Sequence, residues 1–405
     1  MGEYLIERLG HHGDGVATGP VFAPLTLPGE VVSGSVEGDR LKDVRIVTPS
    51  PVRVSPPCRH FRSCGGCQLQ HGSDAFVAGW KTDIVRTALA AQGLSAEFRD
   101  IETSPPQSRR RATFAARRTK KGVTAGFHAR ASDAIVEIPD CKLLAPEVMA
   151  GLSFAGELAA IGGSRKGTLA VSVTESRSGL DVAVDGGKPP DAALAQELAA
   201  LCERRGLARL SWDGEVVAMR APPLHAFGTA TVSPPPGAFL QATRHGEAAL
   251  LSAVREIVGD ATRIVDLFSG CGTFGLPLAT GAEVHAVEGD PGMLEALEAG
   301  WRHAAGLKKV TTETRDLFRR PLRAAEFRDA QAVVIDPPRA GAAAQIAELA
   351  EADVPRIAHV SCNPVTFARD AAVLVRSGHS LDWVQVVDQF RWSAHVELVA
   401  AFSRR

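Results

Sequence analysis

Cys362 stands in Ile357-Ala358-His359-Val360-Ser361-Cys362-Asn363-Pro364, where a short apolar run gives way to a polar turn. A cysteine at the mouth of a sheet can act as a nucleophile once its thiolate is stabilised. Taken alone, it reads as readily as an inert core residue. One apolar run earlier, Val333-Val334-Ile335 leads into Asp336-Pro337-Pro338-Arg339. The prolines remove two N–H donors and stiffen the turn, which holds Asp336 at the strand end. Ligands of parallel sheets bind outside the carboxyl ends of the strands, so Asp336 is expected at a cleft; the plainer reading is a rigid loop with a solvated carboxylate. His395-Val396-Glu397 opens the last apolar run, and alternation would put His395 and Glu397 on one face. An unpaired carboxylate beside a buried strand is costly, so Glu397 is a general-base candidate, weighed against a surface ion pair.

A glycine loop precedes these three sites. Ile264-Val265-Asp266-Leu267-Phe268 reads as a buried strand running into Ser269-Gly270-Cys271-Gly272-Thr273-Phe274-Gly275. The glycines fit G-x-G-x-x-G, which lets backbone approach a nucleotide closely. The next apolar run ends at Glu288, where a carboxylate can accept both hydroxyls of a ribose. This pattern alone admits either NAD or S-adenosylmethionine. Asp266, set where it could meet an amino group, tilts the choice to S-adenosylmethionine, with a loop-bracing carboxylate as the alternative.

Cys58, Cys64 and Cys67 fall within ten residues, and Cys141 lies downstream. Four thiolates at such spacing suit an iron–sulfur cluster or a structural zinc. The five-residue gap between Cys58 and Cys64 is wider than zinc pairs usually show, which favours iron–sulfur. From Cys58 to Arg130 there are 13 Lys/Arg against 5 Asp/Glu, although the whole chain has a net charge of −1. Arg109-Arg110-Arg111, Arg117, Arg118, Lys120 and Lys121, with Phe114 interleaved, suit an RNA surface or simply a solvated face.

These residues need elements to hold them. Hydrophobic residues make up 45% and charged residues 22% of the 405, which excludes disorder and a fibrous repeat. No apolar run approaches the roughly 20 residues of a membrane span. The opening MGEYLIERLG has two glutamates and no apolar core of a secretory leader. A cytoplasmic protein without disulfides is therefore expected. Residues 1–53 alternate short apolar stretches with Gly and Pro turns, the pattern of a small β-barrel. Residues 54–232 form a mixed α+β middle with a helix over about 73–92. Residues 233–405 alternate helical patterns with buried runs, which predicts an α/β unit with a mostly parallel sheet.

Together the motifs resemble the RNA 5-methyluridine methyltransferase family over nearly the whole chain. Gly13-x-Gly15-Val16-Ala17 and Leu27-Pro28-Gly29-Glu30 are similar to a TRAM domain, an OB-like RNA-binding barrel. The cysteine spacing matches the family's iron–sulfur branch. Ser361-Cys362-Asn363-Pro364-x-Thr366-x-Ala368-Arg369-Asp370 matches its nucleophile signature, and Asp336–Gly341 and His395-Val396-Glu397 also match. One departure stands in the last loop. The family usually has Phe-Pro-x-Thr, whereas this chain has Phe390-Arg391-Trp392-Ser393.

The resemblance implies a Rossmann-like class I methyltransferase domain and a role for each matching residue. Cys362 would be the nucleophile, Glu397 would remove the C5 proton, and Asp336 would lie between cofactor and base. Gln241, Phe268, Thr273, Glu288 and Asp316 would contact S-adenosylmethionine. Cys58, Cys64, Cys67 and Cys141 would hold a [4Fe–4S] cluster. The product would be 5-methyluridine in RNA, with 23S ribosomal RNA preferred over tRNA, made by a monomer. Two readings compete: an NAD-dependent oxidoreductase, which leaves Cys362 and Glu397 unexplained, and a non-catalytic RNA-binding or redox-sensing iron–sulfur protein.

Overall fold

The computed structural model describes residues 2–404. Strands Gly2–Leu9, Gly15–Ala17, Val21–Ala23, Val31–Glu37 and Arg40–Thr48 close into a barrel. Ile6, Ala17, Ala23, Val32 and Leu41 fill it. The barrel closes tightly at Gly34, where a Cβ would stand 2.5 Å from the carbonyl oxygen of Lys42. The five-stranded barrel matches the expectation for this end of the chain.

The middle of the chain builds a seven-stranded sheet. Helices Pro146–Gly162 and Ala192–Arg204 pack with it around Phe114, Leu158 and Trp212. Phe114 is fully buried here. It therefore does not stack on RNA among the arginines: its strand, Arg111–Arg118, turns this side chain inward.

The C-terminal sheet has nine strands. Its seven main strands run in the order Val310–Thr314, Glu283–Glu288, Arg263–Leu267, Ala332–Ile335, Arg356–Ser361, Leu398–Arg404 and His379–Asp388. The first five are parallel, and Leu398–Arg404 is antiparallel to both its neighbours. Buried strands such as Ala332–Ile335 carry apolar side chains on both faces because helices cover both sides of the sheet. The order reverses between Arg263–Leu267 and Ala332–Ile335, the switch point where such sheets bind ligands.

Part of the stretch expected in the middle unit belongs to this sheet instead. The helix Asp74–Ala90, N-capped by Ser73, sends Val85 and Leu89 into the core with Leu374, Val384 and Phe402. Two short strands after it pair with His379–Asp388, bringing Glu97 opposite Trp383 and Glu102 opposite Val387. The hairpin of His225–Phe227 and Ala230–Val232 likewise packs into the C-terminal core. Long-range pairing of this kind leaves no periodic trace in sequence. Among the described residues, no helix is long and apolar enough to cross a membrane, and all seven cysteines are free.

Candidate active site

The glycine loop leaves the strand Arg263–Leu267 with positive φ at Phe268 (58°), Gly270 (54°) and Gly272 (91°). A Cβ on Gly272 would meet Leu276 at 2.7 Å, whereas one on Gly270 would meet nothing within 4 Å. Gly272 is thus required by packing, and Gly270 faces open space. Only a short helix, Gly275–Leu278, follows. Glu288 braces the loop by accepting from the backbone N–H of Gly270 (3.0 Å), Gly289 (2.7 Å) and Asp290 (3.1 Å). Phe268 packs against exposed Phe318 with ring centroids 5.5 Å apart. Asp316 turns the chain there, accepting from the N–H of Phe318 at 3.0 Å. Thr273 is half-buried in the loop.

Asp266 lies within the strand Arg263–Leu267, two residues before the loop. It is 0% exposed, lies beneath the loop, and neither carboxyl oxygen has a hydrogen-bond partner. Its Oδ2 stands 2.7 Å from where a Gly275 Cβ would be. Burial, helped by the charges of Asp336 and Glu288, pushes its carboxyl up to about 8 against the backbone N–H of Gly275.

Beside the loop, a hydrogen-bonded line joins two carboxyls through two amides. Gln241 Nε2 donates to Asp336 Oδ2 at 3.1 Å. Gln389 Nε2 donates to Gln241 Oε1 at 2.5 Å and to Glu397 Oε2 at 2.9 Å. Gln389 Oε1 accepts from the backbone N–H of Ala242 at 2.6 Å. Burial pushes Asp336 up to about 7 against its bond from Gln241. Glu397 is raised well above the usual carboxylate range by burial and by Asp336. Cys362 goes up to about 11, first by burial and then by the charges of Glu397 and Asp336, while Arg339 opposes. The structure therefore brings Cys362, Asp336, Glu397 and Gln241 together, with Arg339 as a compensating cation. Asn363 caps the helix Pro364–Arg376 through Val365 N–H (3.0 Å) and donates to the Arg339 carbonyl at 2.9 Å. That bond ties the Cys362 turn to the Asp336 turn.

His395 and Glu397 do not share a strand face. The strand starts at Leu398, so period-two alternation does not apply to the turn before it. Glu397 is buried, whereas His395 is exposed with Nδ1 3.0 Å from Arg339 Nη2. Arg391 and Trp392, in the departing loop, are held from elsewhere. Arg391 donates to the Ser104 carbonyl (3.1 Å) and pairs with Asp74 (2.5 Å). The carbonyl of buried Trp392 accepts from the N–H of Gln68 (2.8 Å) and Leu69 (2.9 Å). Sequence reasoning missed Gln389 and this bracing; the only signal was that Gln389 directly precedes the loop.

A cleft of about 960 Å³ opens beside Cys362. Arg8 and His12 of the barrel, Phe76 and Trp80 of the helix Asp74–Ala90, and Val365 line it with the cysteine. Arg110 plays no part in an RNA face. It is 2% exposed, donates to the Gln241 carbonyl at 2.9 Å, and pairs with Glu247. This buried arginine positions the backbone of a site residue.

All four clustered cysteines, Cys58, Cys64, Cys67 and Cys141, line one cavity of about 300 Å³, with Arg109 at its wall. Burial raises the thiols of Cys64 and Cys141 and pushes Cys67 up to about 12, with their mutual charges adding to it. Among the described residues, no three His, Cys, Asp or Glu side chains are set to hold a single metal ion. One zinc draws its sulfurs to about 2.3 Å from a common point. The four thiols share one cavity, which is the donor set that the sequence expectation of a common cluster site requires.

Residues 303–405 match the sequence model of the family described as tRNA (uracil-5-)-methyltransferase. Over 412 residues the chain is 46% identical to a protein of Rhizobium meliloti (strain 1021) named an uncharacterized RNA methyltransferase, covering 100% of this chain and 99% of that one. It is 34% identical over 450 residues to the 23S rRNA (uracil(1939)-C(5))-methyltransferase of Halomonas elongata, covering 98% of this chain and 88% of that one. Among solved structures, it superposes with a TM-score of 0.75 on the Pyrococcus abyssi tRNA (uracil-54, C5)-methyltransferase in complex with S-adenosyl-L-homocysteine. That match covers 99% of this chain and 100% of the other at 22% identity, a likeness of fold.

Proposed function

We propose, on the footing that this chain belongs to the RNA uracil-C5 methyltransferase family and methylates RNA with S-adenosylmethionine, that its substrate is 23S ribosomal RNA and that it acts through a covalent Cys362 adduct. The carrying observation is the line Asp336–Gln241–Gln389–Glu397 beside Cys362. Uracil C5 is too weak a nucleophile to take a methyl group unaided. Attack of the Cys362 thiolate at C6 turns the ring into an enolate with carbanion character at C5. C5 then takes the methyl group from the sulfonium, leaving S-adenosylhomocysteine. Glu397 removes the C5 proton, the C5–C6 double bond reforms, and the thiolate leaves.

The electrostatics suit this order. With the site free of substrate, burial and mutual repulsion favour the protonated forms of Asp336, Glu397 and Cys362. A sulfonium beside Asp336 supplies the positive charge that lets the site ionise. Gln241, Phe268, Thr273, Glu288 and Asp316 are the proposed cofactor contacts around the switch point. The target base must leave its stack to reach Cys362, and the cleft between barrel and helix is the proposed way in. In this reading residues 1–53 are an RNA-binding barrel, 54–232 a central unit that lends the helix Asp74–Ala90, the strands at 97–103 and the hairpin at 225–232 to its neighbour, and 233–405 the methyltransferase unit. Cys58, Cys64, Cys67 and Cys141 would hold a [4Fe–4S] cluster, which supplies cross-linking of the segments that carry them. The preference for 23S rRNA rests on the Halomonas relative; tRNA is the alternative.

The test is methyl transfer from labelled S-adenosylmethionine to unmodified RNA, comparing wild type with C362A. Label in 5-methyluridine of the 23S fraction, lost in C362A, is expected. Label confined to tRNA would move the substrate assignment. Equal activity in C362A would remove the covalent mechanism.

A further inference from the structure

The amide of Gln389 can point only one way. A backbone N–H is a donor and nothing else. The Ala242 N–H at 2.6 Å therefore requires Oε1 of Gln389 opposite it, which sends Nε2 toward Gln241 and Glu397. Reversal would set two donors against each other at Ala242 and turn a carbonyl toward a carboxyl. The choice propagates. Gln241 must present its carbonyl to Gln389, so its Nε2 faces Asp336 Oδ2. Glu397 must present Oε2 as an acceptor, and its Oε1 takes no hydrogen bond from the described residues.

We propose that Gln389 is a positioning residue for the methyl-transfer site: anchored by the Ala242 N–H, it sets Oε1 of Glu397 as the oxygen that receives the C5 proton and turns the Gln241 amide toward Asp336. This rests on the reading of Glu397 as the base. It makes one buried side chain control both ends of the site, the carboxyl at the cofactor side and the carboxyl at the base side. Gln389 is 1% exposed and its amide is taken up by Ala242, Gln241 and Glu397, so it acts through these neighbours. Removing its two donors while keeping its length leaves Gln241 free to rotate and Glu397 free to swing. The slowed step would be proton removal, which comes after the RNA is covalently attached.

The full-length enzyme is tested as Q389M, which keeps length without donors, and as Q389E, which keeps the acceptor for Ala242 but sets an oxygen against Gln241 Oε1 and Glu397 Oε2. Wild type and E397Q run beside them on unmodified 23S RNA with labelled S-adenosylmethionine. Turnover and protein–RNA adducts surviving a denaturing gel are read, and thermal melting reports folding. Loss of a hydrogen bond to a charged group predicts turnover of Q389M down about tenfold to a hundredfold. Labelled adduct should accumulate as in E397Q, and Q389E should be slower still. A role limited to folding would lower melting and turnover without trapping RNA. That result, or wild-type turnover in Q389M, overturns the proposal; should Q389M fail to fold, Q389E is read by the same criteria. If E397Q traps no adduct while wild type makes 5-methyluridine, the reading of Glu397 as the base fails, and the proposal fails with it.

Discussion

Lys81 Nζ lies 2.5 Å from Asp388 Oδ1, and both side chains are buried although 307 positions separate them. Lys81 also donates to the Phe390 carbonyl at 3.1 Å, and Asp388 accepts from the Phe390 N–H at 3.1 Å. Gln389 is clamped between these contacts. The helix Asp74–Ala90 thus holds the turn that carries the amide of the site.

Removing one partner of this pair leaves a buried charge alone. K81M should therefore destabilise the protein by about 3–5 kcal/mol. The double variant K81M/D388N, which removes both charges and keeps an acceptor for Phe390, should recover most of that loss. Denaturant melts of the three proteins decide it, and equal midpoints for K81M and wild type would dismiss the clamp.

Asp266 predicts a pH dependence of stability in the cofactor-free protein. The folded carboxyl keeps its proton up to about 8, whereas an ordinary one sheds it near 3.8. The folded state therefore binds more protons between those values, and its stability falls as pH rises through that window. The effect is on the order of several kcal/mol. In D266N, which cannot ionise, the fall in melting temperature between about pH 5 and pH 8 should flatten. An unchanged slope would contradict this assignment.

His359 predicts a loss at the acid end. It is fully buried on the strand leading to Cys362, packed by Phe367 and Phe402, with neither ring nitrogen bonded. Burial lowers it from 6.5 to about 4. The unfolded chain takes a proton at higher pH than the folded one, so stability is lost as pH falls from 6.5 toward 4. H359F should melt higher than wild type at about pH 5, by roughly 2–3 kcal/mol, with a smaller gain at neutral pH. Calorimetry at both pH values tests it.

Trp392 packs with Cys67, Cys141, Phe61 and Leu143. Protein purified without oxygen should carry iron and sulfide in equal amounts, and a C64S/C67S variant should carry neither. Stripping the metal should change tryptophan emission, and the change should be absent in W392F. A metal-free wild type, or the same emission change in W392F, would argue against a cluster next to this loop.

The strand-end residues Asp336 and Cys362, the glycine loop and the β character of the first 53 residues were legible in the sequence. Each depends on neighbours along the chain: an apolar run, a proline pair, glycines at fixed spacing. His395 was placed wrongly, because its surroundings come from segments distant in sequence and local alternation carries no information about a turn. The same holds for Arg110, which sits in a basic run yet is buried under Gln241, and for residues 97–103, which pair with a strand almost 300 positions later. Sequence by itself determined the chemical groups and the strand ends that present them, because covalent spacing sets both. Only the tertiary structure decided that Gln241 and Gln389 join Asp336 to Glu397, because an amide's partners are chosen by packing and by the need to satisfy every buried donor and acceptor.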